Sequence, residues 1–453
     1  MVDRRTILAA GAALATSTLV PAMPRAVARR RAADFVRRVG TELRLGDERY
    51  RFAGANMWYG AYLGAAAPFG GRDRLRTELD ALAALGVTNL RVLASSEASP
   101  LKGAISPTFR GPGAHYDPLL LGGLDYLLSE MRRRDMRAVL YLTNFWEWSG
   151  GMMTYLSYVN GGRFLNMNDP AHPWPAFPDM TAGFYADHRA VALYRDYVRA
   201  VVGRTNRVTG QAYADDPTIM AWQLANEPRP GGSDAVALAN LPAFYRWVAD
   251  TAALIKTIDR HHLVSTGSEG LKGCIERADI VAAEHRLAGI DYLTTHVWPL
   301  NWSWIDAKNL AATYDAGAAK VQDYIDQHVR IATRIGKPLV IEEFGYPRDG
   351  GSYDPAATTR LKDRFYRQVY GAVEASADAG GPIAGSSFWA WSGAGRASHA
   401  DFVFRRGDRS YLGDPPHEPQ GWYGVFDSDE STKAVARDHA AALRAVARRE
   451  NAA

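Results

Sequence analysis

Apolar runs of strand length recur eight times along this chain, over residues 50–56, 87–94, 137–144, 219–226, 262–267, 290–296, 338–344 and 383–391. Segments with apolar residues at helical spacing follow them, over 74–85, 118–134, 194–204, 241–258, 318–335, 358–377 and 434–448. Strands that alternate with helices must lie parallel, because each helix carries the chain back across the sheet. Eight such units predict an α/β fold of one kind, a (β/α)8 TIM barrel in a single domain. A short N-terminal β-hairpin is expected ahead of it, since 42–55 alternates about the turn Gly46-Asp47. The loops after strands three, six and eight are long, and in this architecture the loops that follow strands build the active face.

Composition narrows the function. Of 453 residues, 47% are hydrophobic and 23% charged, which excludes disorder and coiled coil. The formal charge is only +4 and part of it sits in the first 28 residues, so the chain lacks the basic stripe that a nucleic acid would need. One cysteine, Cys274, permits no internal disulfide and no CxxC metal knuckle. The N-terminus reads as an address: Arg4-Arg5, an apolar run from Ile7 to Val20, then Ala26-Val27-Ala28. Residues 1–28 are therefore expected to be a signal peptide of the twin-arginine type, with the catalytic domain over 29–453. The expected location is periplasmic or extracellular, with no membrane attachment after cleavage.

Eight of the 12 tryptophans, Trp58, Trp146, Trp148, Trp298, Trp302, Trp304, Trp389 and Trp391, fall at or just past the ends of predicted strands. A rim of flat rings among Asn, Asp and His suits a sugar polymer, whose C–H faces pack on rings while its hydroxyls take hydrogen bonds. Two acids also end strands. Strand four runs into Asn226-Glu227-Pro228-Arg229 and strand seven into Glu342-Glu343-Phe344-Gly345. Cleaving a glycosidic bond needs one carboxylic acid to protonate the leaving oxygen and a second carboxylate across the anomeric carbon. Glu78 and Asp80, on a helical pattern, read as solvated.

The Asn226-Glu227-Pro228 and Glu343-Phe344-Gly345 steps, on an eight-strand layout, resemble glycoside hydrolase family 5, a retaining family on the (β/α)8 fold. The strings Trp222 to Arg229 and Lys337 to Gly345, with Asn144, Gly150-Gly151 and Phe388-Trp389, most resemble the endo-β-1,4-mannanases. The resemblance implies Glu227 as general acid/base and Glu343 as nucleophile. It implies Asn226 on the sugar 2-hydroxyl, Arg91 holding the nucleophile ionised, His296 lining the centre and Trp391 supporting the sugar. Arg229 falls on the leaving-group side, and Trp58 and Trp302 are expected platforms. Trp389 shares strand parity with Trp391, so either ring could touch sugar, and Glu342 is expected to point away from Glu343.

One departure stands out. The family's strand-six His-x-Tyr is His296-Val297-Trp298 here, so the tyrosine hydroxyl that supports the nucleophile is replaced by an indole N–H. The function expected is hydrolysis of β-1,4-mannosidic bonds in mannan-type polysaccharides by double displacement, as an endo-mannosidase. Another family 5 β-glycanase, an exo-β-mannosidase and a non-catalytic glycan binder are the alternatives. No metal and no cofactor are expected, since His115, His172, His188, His261 and His262 form no ligand spacing. A β-mannan substrate is the expected partner, on a monomer.

Overall fold

The computed structural model describes residues 34–452; the leader expected over 1–28 lies outside them. Eight parallel strands form one sheet: β1 Phe52–Asn56, β2 Asn89–Leu93, β3 Arg137–Tyr141, β4 Ile219–Gln223, β5 Leu263–Ser265, β6 Leu293–Val297, β7 Leu339–Phe344 and β8 Ile383–Phe388. Ladder pairing runs from β5 back through β1 to β8, β7 and β6. The remaining seam, β5 against β6, is bridged by Asp291 N–H to the Val264 carbonyl at 2.7 Å and His296 N–H to that of Glu269 at 3.1 Å. The sheet thus curls round on itself, and every strand of it is buried along its length apart from Arg137. Burial on both faces explains why the strands read as continuous apolar runs.

Eight helices that return the chain between strands or close it pack outside: α1 Arg72–Ala84, α2 Pro118–Arg132, α3 His188–Val202, α4 Asp234–Ile258, α5 Ala278–Arg286, α6 Leu310–Ile335, α7 Arg360–Asp378 and α8 Glu430–Ala452. Local chemistry sets their ends. Asp117 and Asp187 accept first-turn N–H groups of α2 and α3, and Gly336, at φ +68°, stops α6. No described helix is long and apolar enough to cross a membrane.

Three details differ from expectation. The N-terminal hairpin gains a third strand, Val36–Val39 pairing with Glu42–Leu45, which pairs with Glu48–Arg49. Val36 and Leu43 bury against Phe52, Val139, Leu263 and Val340, so this small sheet packs under the barrel. α5 was not marked by the periodicity. The last predicted strand, 383–391, is broken: β8 ends at Phe388, and Trp391–Gly393 pairs instead with Val425–Phe426.

Candidate active site

Glu227 and Glu343 meet at the C-terminal mouth of the barrel. Glu227 follows β4 in the left-handed region, φ +51°, with its N–H on the Gly267 carbonyl at 2.9 Å. A non-glycine residue at positive φ is costly and persists only where its surroundings fix it. Gly267 is one such constraint: a Cβ there would come within 1.9 Å of the Ala225 carbonyl, so strands β4 and β5 can close on each other only around glycine. The Glu227 carboxylate accepts from His296 Nδ1 at 2.6 Å and from the Trp146 indole N–H. Glu343 accepts from Arg91 at 2.5 Å, and its other oxygen lies 3.3 Å from His296 Nδ1. One oxygen of each carboxylate and one nitrogen of His296 all fall within 4.8 Å of one another.

Arg91, on β2, ties the floor of the site together. Its guanidinium donates to Gln223 at 2.7 Å, Asn56 at 3.2 Å and Asn226 at 2.7 Å besides Glu343, and lies over the Tyr141 ring. Asn226 donates in turn to Asn144 at 3.1 Å. The expectation that Glu342 points away from Glu343 is corrected. The β6–β7 register slips between Ile341 and Glu343, and this bulge turns Glu342 inward as well. Glu342 takes the Gln223 amide and lies 3.6 Å from Arg91 and 3.9 Å from His296.

Charge is divided unevenly. Burial pushes Glu343 up to about 7, although His296 and Arg91 both oppose it. Burial also raises Glu227, but the His296 hydrogen bond and charge, with Arg229 and Trp146, outweigh it and leave this carboxyl below its ordinary value. His296 is disfavoured as a cation by burial, yet Glu343, Glu227 and Glu342 lift it to about 10. The same contacts that lower Glu227 raise His296, so the 2.6 Å hydrogen bond between them draws its proton toward Nδ1. This trio is the one group of three metal-ligating side chains among the described residues. Arg91 donates to its Glu343 carboxylate, and Trp146 and His296 donate to that of Glu227.

The tryptophans divide into site and support. Trp58 and Trp391, expected on the sugar, are each 1% exposed. Trp58 gives its N–H to the Gly413 carbonyl, and Trp391 gives its own to Glu78, which is buried rather than solvated and also pairs with Arg74. Trp391 lies on a strand that has left the barrel, while the Trp389 ring, just past β8, lies 6.1 Å from that of Trp298 and 6.5 Å from that of Trp148. Trp298 packs on Tyr423 and makes no hydrogen bond to Glu343, whose support comes from Arg91 and His296. Trp302 is half-buried against Trp304 and Tyr324. Arg229 lies beside the stacked rings of Trp146 and Trp174, 4.9 and 5.7 Å from their centroids.

The description "GH family 5 beta-mannosidase-like" matches residues 33–448. This chain belongs to glycoside hydrolase family 5. It is similar to mannan endo-1,4-beta-mannosidase 7 of Arabidopsis thaliana, 28% identical over 78% of this chain and 77% of that protein. It is also similar to a glycoside hydrolase family 5 mannosidase from Rhizomucor miehei, with TM-score 0.84 and 31% identity over 93% of this chain and all of the other. An endo-1,4-beta-mannanase structure from the same fungus shares the fold, with TM-score 0.65 and 21% identity.

Several polar residues of this family 5 site escaped the sequence reading. Glu269 follows β5, takes Arg229 at 2.6 Å and is pushed up to about 7 by burial. Glu97 follows β2 and accepts the Gly151 N–H at 2.8 Å. Both are acids just past a strand end, the signal that found Glu227, but neither abuts a proline or a Phe-Gly step. Glu147, His417 and Glu418 come from the loops after β3 and β8, where periodicity marks nothing.

Proposed function

We propose that this chain is a retaining hydrolase of β-1,4-mannosidic bonds in mannan-type polysaccharides, with Glu343 as nucleophile and Glu227 as acid/base. The carrying observation is the closeness of the two carboxylates, oxygens within 4.8 Å, each on a separate strand end. Retaining pairs lie about 5–5.5 Å apart, while inverting pairs leave about 6.5–9.5 Å for a water. The names of the relatives, mannan endo-1,4-beta-mannosidase among them, supply the sugar and the endo mode.

Glu343 attacks the anomeric carbon as the carboxylate, and Arg91 favours that form. The proton for the leaving oxygen is stored in the 2.6 Å hydrogen bond between His296 and Glu227. As the glycosyl ester forms, the charge of Glu343 is lost. That charge is what holds His296 cationic above all else, so the proton moves from Nδ1 to Glu227 and on to the departing sugar. Glu227 then draws a proton from water, which hydrolyses the ester. Asn226, poised by Arg91 and Asn144, bonds the 2-hydroxyl, and Trp389 packs under the ring. Export through the twin-arginine leader over 1–28, and action as a monomer, complete the proposal.

The test is product analysis of the protein from residue 29 onward on β-mannan, carboxymethyl-cellulose and xylan, with Glu343→Ala in parallel. Manno-oligosaccharides that vanish in the variant are expected; cleavage of cellulose or xylan alone overturns the sugar assignment, and unchanged activity in Glu343→Ala overturns the nucleophile.

A further inference from the structure

Glu97 is buried just past β2, and both its main chain and its side chain hold the turn that follows β3. The Glu97 N–H donates to the Ser149 carbonyl at 2.8 Å, while its carboxylate accepts the Gly151 N–H at 2.8 Å and the Thr143 hydroxyl at 3.4 Å. The turn is shaped to this acid. A Cβ on Gly150, at φ +96°, would come within 2.4 Å of the Glu97 carbonyl oxygen. One on Gly151, at φ +65°, would come within 2.4 Å of the Asn144 carbonyl oxygen and 2.5 Å of that of Trp146. Two successive glycines thus let the chain close on Glu97 and then on its own segment 144–146.

The turn delivers two groups to the catalytic centre. Trp146 donates its indole N–H to Glu227. The Asn144 side-chain oxygen accepts from the Trp146 main chain at 3.0 Å and from Asn226 at 3.1 Å. A further bond, from the Phe145 N–H to the Asn226 carbonyl at 2.9 Å, joins the turn to the residue before Glu227. We propose that Glu97 is a positioning residue for the acid/base, acting through the turn 144–151 on the Trp146 N–H that meets Glu227, an inference that rests on the reaction proposed above. That N–H favours the ionised Glu227 carboxylate only while it is aimed at it, because a hydrogen bond weakens steeply with misalignment. Placement of the turn therefore helps to set how tightly Glu227 holds its proton. Burial pushes the Glu97 carboxyl up to about 7, against the Gly151 hydrogen bond and the charge of Arg110, so a neutral amide is a close stand-in for it near neutral pH.

The test is steady-state hydrolysis of β-1,4-mannopentaose over a pH series by wild type, Glu97→Ala, Glu97→Gln, Trp146→Phe and Glu97→Ala combined with Trp146→Phe. A sugar leaving group needs a proton, so the alkaline limb of kcat/KM reports the proton shared by Glu227 and His296. The Trp146 donor lowers the proton affinity of Glu227, so its misplacement raises it. In Glu97→Ala that limb should move up by roughly half a pH unit, with at least about a fivefold fall in kcat/KM, and in Trp146→Phe it should move the same way. Glu97→Gln, whose amide oxygen can still accept the Gly151 N–H, should return the limb to its wild-type position. On the Trp146→Phe background Glu97→Ala should cost less than about a further twofold, because the contact it controls is already gone. An unmoved limb in Glu97→Ala, a limb displaced as far in Glu97→Gln, or a loss as large on the Trp146→Phe background as on wild type overturns the positioning role. Should Glu97→Ala fail to fold, Glu97→Asp, whose carboxylate stops one methylene short of Gly151, carries the same comparison. Wild type that cleaves no β-mannoside overturns the reaction and the positioning role together, whereas an active wild type whose limb these variants leave in place overturns the positioning role alone.

Discussion

Arg91 decides more at the residue scale than any other side chain here. It donates to four partners, so it fixes Asn226 and Glu343 relative to each other while favouring the ionised nucleophile. A lysine brings one point charge and cannot span the same fork. Since Arg91 lowers the Glu343 pKa, its loss raises it. The acidic limb of kcat/KM in wild type should follow Glu343 ionisation near 7. In Arg91→Lys that limb should move up by roughly one pH unit, with at least about a tenfold fall in kcat/KM at its maximum. A profile that falls in height without moving would assign Arg91 to geometry alone. Glu227 and Glu343 were legible in the sequence because each closes an apolar run, whereas Arg91, Asn226 and His296 came from the resemblance to family 5. The inward turn of Glu342 was not legible, because alternation along a strand predicts opposite faces and a bulge breaks alternation.

At the scale of the element, α5 holds two adjacent buried groups that are both neutral in the fold. Burial pushes Glu284 up to about 8 from an ordinary 4.5, and drives His285 down to about 3 from 6.5. The Glu284 contribution to stability is present below about pH 4.5 and is lost as pH rises through about 8. The His285 contribution is present above about pH 6.5 and is lost as pH falls toward about 3. Between about 4.5 and 6.5 the two slopes oppose each other and cancel. Glu284→Gln removes only the alkaline loss. Its unfolding free energy relative to wild type, from urea titrations at pH 5, 7 and 9, should therefore rise with pH, by at most about 1.4 kcal/mol per pH unit. A difference that stays constant with pH would refute the neutral, buried Glu284. The eight barrel strands were all found in the sequence, but α5 was not. Its nine residues bury Glu284 and His285 alongside Ile280 and Val281, so polar letters stand where the pattern needs apolar ones.

On the scale of the whole molecule, the barrel was legible because its period is written in the chain: eight apolar runs, with amphipathic runs after seven of them. What lies above the mouth was not. The β8 loop takes its course from backbone carbonyls, those of Ser99, Pro68 and Gly413, and such acceptors leave no mark on side-chain pattern. The same reason hid the burial of Trp58 and Trp391, whose N–H groups find partners contributed by distant loops and by α1. The central claim is that this geometry performs a double displacement. The most direct measurement is proton NMR of the first sugar released from p-nitrophenyl β-mannobioside, recorded before mutarotation. A product that appears first as the β-anomer is the predicted result; an α-anomer would mean a single inversion by water and would contradict the roles of Glu227 and Glu343.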